Sequence, residues 1–295
     1  MGNSSPQNPF SQSEWKGFNA FSNGRRWTNA EFGDFASDEL VFKSIDASLG
    51  VEGLPQSGTG QSTLFTGVNC SELAGRHYGP YPHSSSKPVL KDQNIFVQWK
   101  KEAQTNASLG RSVFLNAFPN RFVKQAELKN RWSVTTRCCL DAGIPLRRIE
   151  SLAKGEALAA DLTGLGLKQV SGSSISVITE EKAANRTAHL CTKYGFLLYE
   201  NFLTDKVGHE QDIRKAEKVL ASLDRFLFQL NESLDYSKTT VIITSDHGNI
   251  EDLGTKSHTM NPVPFVAKGV LAPHFAKVSS LMDVTPAIME AIRTP

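Results

Sequence analysis

Hydrophobic patterning is faint at the start of the chain and strong at its end. "TTVIITSD" (Thr239–Asp246) is the clearest run of β-branched residues and predicts a buried strand that stops at an acid. "PFVAKGV" (Pro264–Val270) follows as a weaker strand, and "SLMDVTPAIMEAI" (Ser280–Ile292) as a closing helix that Asp283 or Thr285 can cap. Upstream, residues 211–234 place Ile213, Ala216, Val219, Leu220, Leu223, Phe226 and Leu230 on one stripe, which predicts an amphipathic helix. "EEKAANRTAHLCTKY" (Glu180–Tyr194) has helical spacing. "GFLLYENFLTD" is expected to be a strand ending at Asp205, and "SVFLNAF" (Ser112–Phe118) a short buried strand. "DASLGVEGLPQSGTGQSTLFTG" (Asp46–Gly67) reads as a loop, then a helix beginning near Gly60. Residues 1–30 are polar with scattered aromatics and read as irregular.

Strand–helix–strand alternation predicts an α/β fold, a mostly parallel sheet sandwiched by helices. The expected core is discontinuous, residues 1–118 and 176–295. Residues 119–175, short helical patterns without a central strand, form an inserted or cap-like segment. No internal repeat is evident.

Composition narrows the function classes. The 295 residues are 39% hydrophobic and 21% charged, ordinary globular values, and can bury a large core. A net charge of +2 arises from mixed signs with no long basic run, so nucleic acid is not the expected partner. No apolar stretch approaches the about 20 residues that span a bilayer, so no membrane partner is expected. The start of the chain lacks the pattern of a signal peptide. Cys70, Cys138, Cys139 and Cys191 form no CxxC pair, and reduced thiols in a cytoplasmic protein are the expectation.

Candidate chemistry gathers at the strand ends. The chain has seven histidines, and two of them, His247 and His258, follow the strongest strand eleven residues apart. Asp246 precedes His247 directly, and Asp205 stands four residues before His209. In α/β sheets ligands bind beyond the carboxyl ends of the strands, so both acids should reach one rim. Adjacent residues on an extended strand point apart, but a turn through Gly248 would let Asp246 and His247 converge. Carboxylate plus imidazole suits Zn or Mn better than Ca or Mg. Two such clusters suggest two divalent ions about 3.5–4 Å apart. Ser57, in the Gly-rich loop just before a helix, could be a nucleophile at a phosphate-binding helix N-terminus. Arg76 and His77 could reach a substrate phosphate. Plainer readings stand beside these: a strand-end turn for Asp246-His247, a turn serine for Ser57, a solvated charge for Arg76, and surface or packed histidines for His77, His83, His189 and His274.

Together these residues resemble the alkaline phosphatase superfamily, in the branch around cofactor-independent phosphoglycerate mutase. The likeness covers roughly residues 40–80 and 195–290. Ser57 precedes Gly67 by ten residues, as the family's nucleophile precedes a glycine, and "SDHGN" and "HTMNPVPF" resemble the mutase branch. The resemblance implies a first metal on Asp205, His209 and His258, and a second on Asp246, His247 and Ser57. It also implies an opening apolar strand ending in Asp-Gly, whose Asp holds the second ion. No such strand is read before Ser57, so the chain is expected to lack it and that ligand. The implied function is two-metal phosphoryl transfer on a small phosphorylated substrate, by a phosphomonoesterase or phosphomutase using a serine nucleophile. The short span between Gly67 and Asp205 favours the hydrolase. The alternative is an impaired or truncated descendant that holds one metal and acts by binding.

Overall fold

A computed structural model describes residues 1–171 and 175–294. The chain is α/β. Its strands are β1 (Phe35–Ala36), β2 (Leu40–Ile45), β3 (Ser112–Phe114), β4 (Ala117–Phe118), β5 (Arg147–Arg148), β6 (Phe196–Leu198), β7 (Thr240–Thr244) and β8 (Val263–Gly269). The largest sheet has the order β1-β2-β8-β7, with every neighbour antiparallel. β3 pairs with β6, and β4 with β5, each in parallel. The expected segment Ser112–Phe118 is thus two short strands, one in each parallel pair.

β8 was the weaker strand by pattern, yet it lies between two partners and is the most buried. Pro264 and Lys268 dilute its sequence signal, while Val263, Phe265, Val266 and Ala267 are fully buried. Period-two alternation sorts the sheet's side chains onto two faces. Phe42 and Val266, with Val241 and Ile243 against them, face one core cluster. Val41, Ile45, Phe265 and Ala267 face another, beneath the closing helix Leu281–Ala291.

Four sequence expectations are corrected. Leu40–Ile45 is a strand, and it ends at Asp46. Its apolar content was masked by Lys43 and Ser44. The segment after β6 is not strand to Asp205: β6 stops at Leu198, and Leu203–Glu210 is helix, with Asn201 Oδ1 accepting from Leu203 N. The helix after the Gly-rich loop begins at Ser57 rather than Gly60. The closing helix is capped by Ser280, and Asp283 is the other half of a capping box.

Residues 1–32 are short helices and turns, as their weak pattern suggested, but they are well packed. Phe10, Phe18, Phe21, Trp27 and Phe32 are buried with Leu220, Phe226 and Leu230 of the long helix Ile213–Ser233. Trp27 packs edge-on against Phe18 at 5.0 Å, and its Nε1 donates to Phe18 O. Asp224 of the long helix accepts from the N–H groups of Gly17 and Phe18, fixing the first turn of the helix Lys16–Asn19. In a third cluster Val134, Cys138 and Cys139, from the expected inserted segment, pack with Phe65, Leu90 and Phe96. All four cysteines are free. Among the described residues no helix is long and apolar enough to cross a membrane.

Candidate metal centre

Asp205 and His209 lie one helical turn apart on Leu203–Glu210, so both side chains leave the same face. The helix thus supplies the pairing that a turn was expected to give. Gly208, between them, packs so closely on Asn249 that a Cβ there would overlap its side-chain amide. Asn249 follows β7, so a side chain at 208 would push this helix off the strand-end loop.

β7 leads into Asp246 and His247, and the chain turns at Gly248. Gly248 and Thr259 form an antiparallel bridge, with Thr259 N donating to Gly248 O. That bridge brings His258 back beside His247, and the rings stack at 3.7 Å. Eleven residues separate the two histidines because they sit on two arms of one loop. Glu251 holds the arms together by accepting from Asn249 N, Thr259 Oγ1 and Asn261 Nδ2.

Asp205, His209 and His258 bring one ligand atom each within 4.8 Å of the others. Asp205 Oδ1 lies 3.4 Å from His209 Nε2 and 3.3 Å from His258 Nε2, and the two Nε2 atoms are 3.2 Å apart. His258 Nδ1 meets Pro55 O at 2.6 Å, and His209 Nδ1 meets Lys256 O. A carbonyl can only accept, so each Nδ1 carries a hydrogen and Nε2 is the ring atom that faces the cluster. Two Nε2 atoms and a carboxylate oxygen converge there, with Asn249 Nδ2 donating to Asp205 Oδ1 at 2.9 Å, and a divalent cation would draw the three donors together. The donor set fits a metal ion.

The rest of the cluster adjoins this one. His247 Nε2 is 2.9 Å from Ser57 Oγ, 3.6 Å from Asp246 Oδ2 and 4.0 Å from Asp205 Oδ1. Ser57 is the first residue of the helix Ser57–Thr66, and no acceptor meets its N–H or that of Gly58 among the described residues. Such free N–H groups at a helix N-terminus suit an anion. Gly60 lets this helix approach the strand end, since a Cβ there would come within 2.6 Å of Asp246 O. Its role is close packing rather than a turn.

Electrostatics support the grouping. Burial penalises the Asp205 carboxylate, but hydrogen bonding from His258 and the nearby His247 and His209 hold its pKa below the usual range. Burial pulls His258 down, and the Asp205 carboxylate and Pro55 carbonyl outweigh it, leaving His258 raised. Glu200 was not anticipated by the sequence reading. Burial pushes its carboxyl up to about 7, Asp246 adds to the rise, and Gln61 Nε2 donates to it at 3.0 Å. Asn249 and Glu251 were also missed as site residues. Neither matched a ligand pattern, although Asn249 closes the quoted "SDHGN".

The remaining candidates lie elsewhere. His77 bonds Ser71 Oγ through Nδ1 and Val51 O through Nε2, each at 3.1 Å. Arg76 is exposed, its guanidinium 5.6 Å from the centre of the Tyr78 ring. Neither lines the cavity of about 880 Å³ onto which Ser57, Asp205, Asp246 and His247 open. Asp46, at the end of β2, is engaged in a turn, accepting from Ser48 N, Ser48 Oγ and Leu49 N. It therefore supplies no carboxylate to the cluster.

The family described as the Metalloenzyme superfamily matches residues 96–295. The chain belongs to that superfamily. Its fold is that of alkaline phosphatases: a TAB5 alkaline phosphatase variant, from an Antarctic bacterium, superposes with a TM-score of 0.51. That match covers 99% of this chain and 96% of the other at 12% identity. Among curated proteins, the 2,3-bisphosphoglycerate-independent phosphoglycerate mutase of Ehrlichia ruminantium (strain Gardel) is 31% identical over 107 residues, 34% of this chain and 21% of the relative. The enzyme of the same description from Halobacterium salinarum (strain ATCC 700922 / JCM 11081 / NRC-1) is 34% identical over 96 residues, 30% of this chain and 19% of the relative. Each match thus spans about a fifth of the mutase.

Proposed function

We propose that this protein is a metal-dependent phosphoryl-transfer enzyme, a phosphomonoesterase or phosphomutase acting on a small phosphorylated substrate. The observation that carries this reading is the convergence of Asp205, His209, His258, Asp246, His247 and Ser57 at one helix N-terminus. Asp205, His209 and His258 would hold one Mn or Zn ion, and Asp246, His247 and Ser57 the other. Bound there, the ions would lower the Ser57 pKa and neutralise non-bridging phosphoryl oxygens. The chain's own residues do the rest. The free N–H groups of Ser57 and Gly58 receive the phosphate, and the 2.9 Å approach of His247 Nε2 to Ser57 Oγ sets both atoms where the second ion would be held. Oγ gives up its proton to water and attacks phosphorus, and the bond from phosphorus to the leaving oxygen breaks. The alkoxide departs and takes a proton from water, and a phosphoserine forms. Water then attacks it in a phosphatase, or a second hydroxyl in a mutase. Arg76 and His77 would join by turning their side chains towards the serine, since the neighbouring Tyr78 backbone already bonds Thr59. The free thiols accord with a reducing, cytoplasmic setting.

The test is hydrolysis of p-nitrophenyl phosphate with added Mn or Zn. Ser57→Ala should reduce the rate on the order of a thousandfold or more. Equal rates for the two proteins would sink the nucleophile assignment. One observation favours the narrower reading of a one-metal binding protein: Asp46 is held in its own turn, so the second ion gains no carboxylate beyond Asp246 from that strand. Metal analysis of the purified chain separates the readings, two ions supporting the enzyme and one the binder.

A further inference from the structure

Asn249 lies just past the turn at Gly248, and its main chain is tied down on both sides. Its N–H donates to Glu251 Oε2 at 2.6 Å, and its carbonyl accepts from Asp252 N at 3.1 Å. The residue is 5% exposed, so the amide can reorient in place only by turning about χ2. That amide reaches into the cluster. Nδ2 donates to Asp205 Oδ1 at 2.9 Å and lies 3.4 Å from His209 Nε2. The three recognised donors are themselves 3.2, 3.3 and 3.4 Å apart. Ligands at about 2.0–2.1 Å around a four-coordinate ion stand about 3.3 Å from one another. One amide atom of Asn249 thus sits at ligand spacing from two of the three donors.

The other amide atom is stranded. Oδ1 is buried over Gly208 and meets no donor among the described residues. An inward N–H suits the empty cluster, where it satisfies the Asp205 carboxylate. Facing a cation it is the wrong way round, because an N–H offers its positive end and a carbonyl oxygen offers a lone pair. A half-turn about χ2 exchanges the two atoms with little heavy-atom movement. It breaks no hydrogen bond over Gly208, since Oδ1 makes none there now.

We propose that Asn249 is a fourth ligand of the ion held by Asp205, His209 and His258, binding through Oδ1 once its amide has turned over. This rests on the metal centre proposed above and extends it. An amide oxygen beside the carboxylate makes the donor set harder, so the site is matched to Mn rather than Zn. The test titrates Mn and Zn against a chromophoric chelator in an Asp246→Asn background, which weakens the adjoining site. Asn249→Ala should lower Mn affinity about tenfold or more and Zn affinity less. Asn249→Asp, which returns an oxygen but no N–H, should restore Mn affinity. With cobalt in the site, the visible absorption bands should change in Asn249→Ala, reporting the lost ligand. Unchanged Mn affinity and cobalt bands in Asn249→Ala would overturn the assignment. So would an Asn249→Asp variant as weak as Asn249→Ala, because the amide would then act through its N–H to Asp205. Tighter Mn binding in Asn249→Ala would also overturn it, making the amide a cap that competes with the ion. Those outcomes leave the metal centre standing, whereas a parent protein that binds no Mn would overturn both.

Discussion

His209 and His258 each commit Nδ1 to a backbone carbonyl, and this sets the chemistry of the cluster more than the presence of imidazoles does. His258→Ala removes one of three converging donors, and metal affinity should fall about 100-fold or more, read by competition with a chromophoric chelator. Protons compete for the same lone pair. Because the His258 pKa is raised above its ordinary 6.5, protonation stabilises the metal-free fold below that ordinary value, and the gain is lost as pH rises through the raised one. Metal binding should therefore weaken as pH falls through the raised pKa and release a proton at pH values below it. Calorimetry in two buffers of different ionisation enthalpy would detect that proton, and buffer-independent heats would contradict it.

Caps and close contacts at single elements set where the site residues stand. Asp283 Oδ2 accepts from Ser279 N and Ser280 N, each at 2.9 Å, at the start of the closing helix. Burial opposes its charge, but these hydrogen bonds hold its pKa below the model-peptide 3.8. A depressed carboxylate stabilises the fold above its unfolded pKa, and the gain is lost as pH falls through the lower folded value. Asp283→Asn should cost about 1 kcal/mol at pH 7, and the gap from wild type should close in acid. Urea unfolding at both pH values measures it. Gly60→Ala acts on the site instead. Its new methyl meets Asp246 O, so activity should fall further than stability, as paired kinetics and melting would record.

At the scale of the molecule, six of the fourteen buried phenylalanine and tryptophan side chains among the described residues come from residues 1–32, a segment without visible periodicity. Phe18 is 5% exposed among Phe10, Trp15 and Trp27. Phe18→Ala should destabilise the protein by about 3–5 kcal/mol, while Leu128→Ala, at a side chain 87% exposed, should change stability by under about 0.5 kcal/mol. Denaturant melts of the two variants test the contrast. The N-terminal segment is part of the fold, and removing residues 1–32 should expose the long helix's apolar stripe.

The sequence by itself determined the α/β class, the long amphipathic helix, β7 and the residue types gathered in the candidate cluster, because each is encoded locally. An apolar stripe at helical spacing and a β-branched run ending at Asp-His need no distant partner to be recognised. Asp205-x-x-x-His209 was legible as a pair but not as a helix, since Phe202 and Leu203 continue the apolar run of β6. β2 and the centrality of β8 were hidden, because burial there depends on which strands lie alongside rather than on composition. Only the tertiary structure decided that Asp46 turns away from the cluster, that Glu200 is half-buried near Asp246, and that β7 lies at the edge of its sheet. Those facts depend on contacts between residues dozens to hundreds of positions apart, and no local pattern carries them.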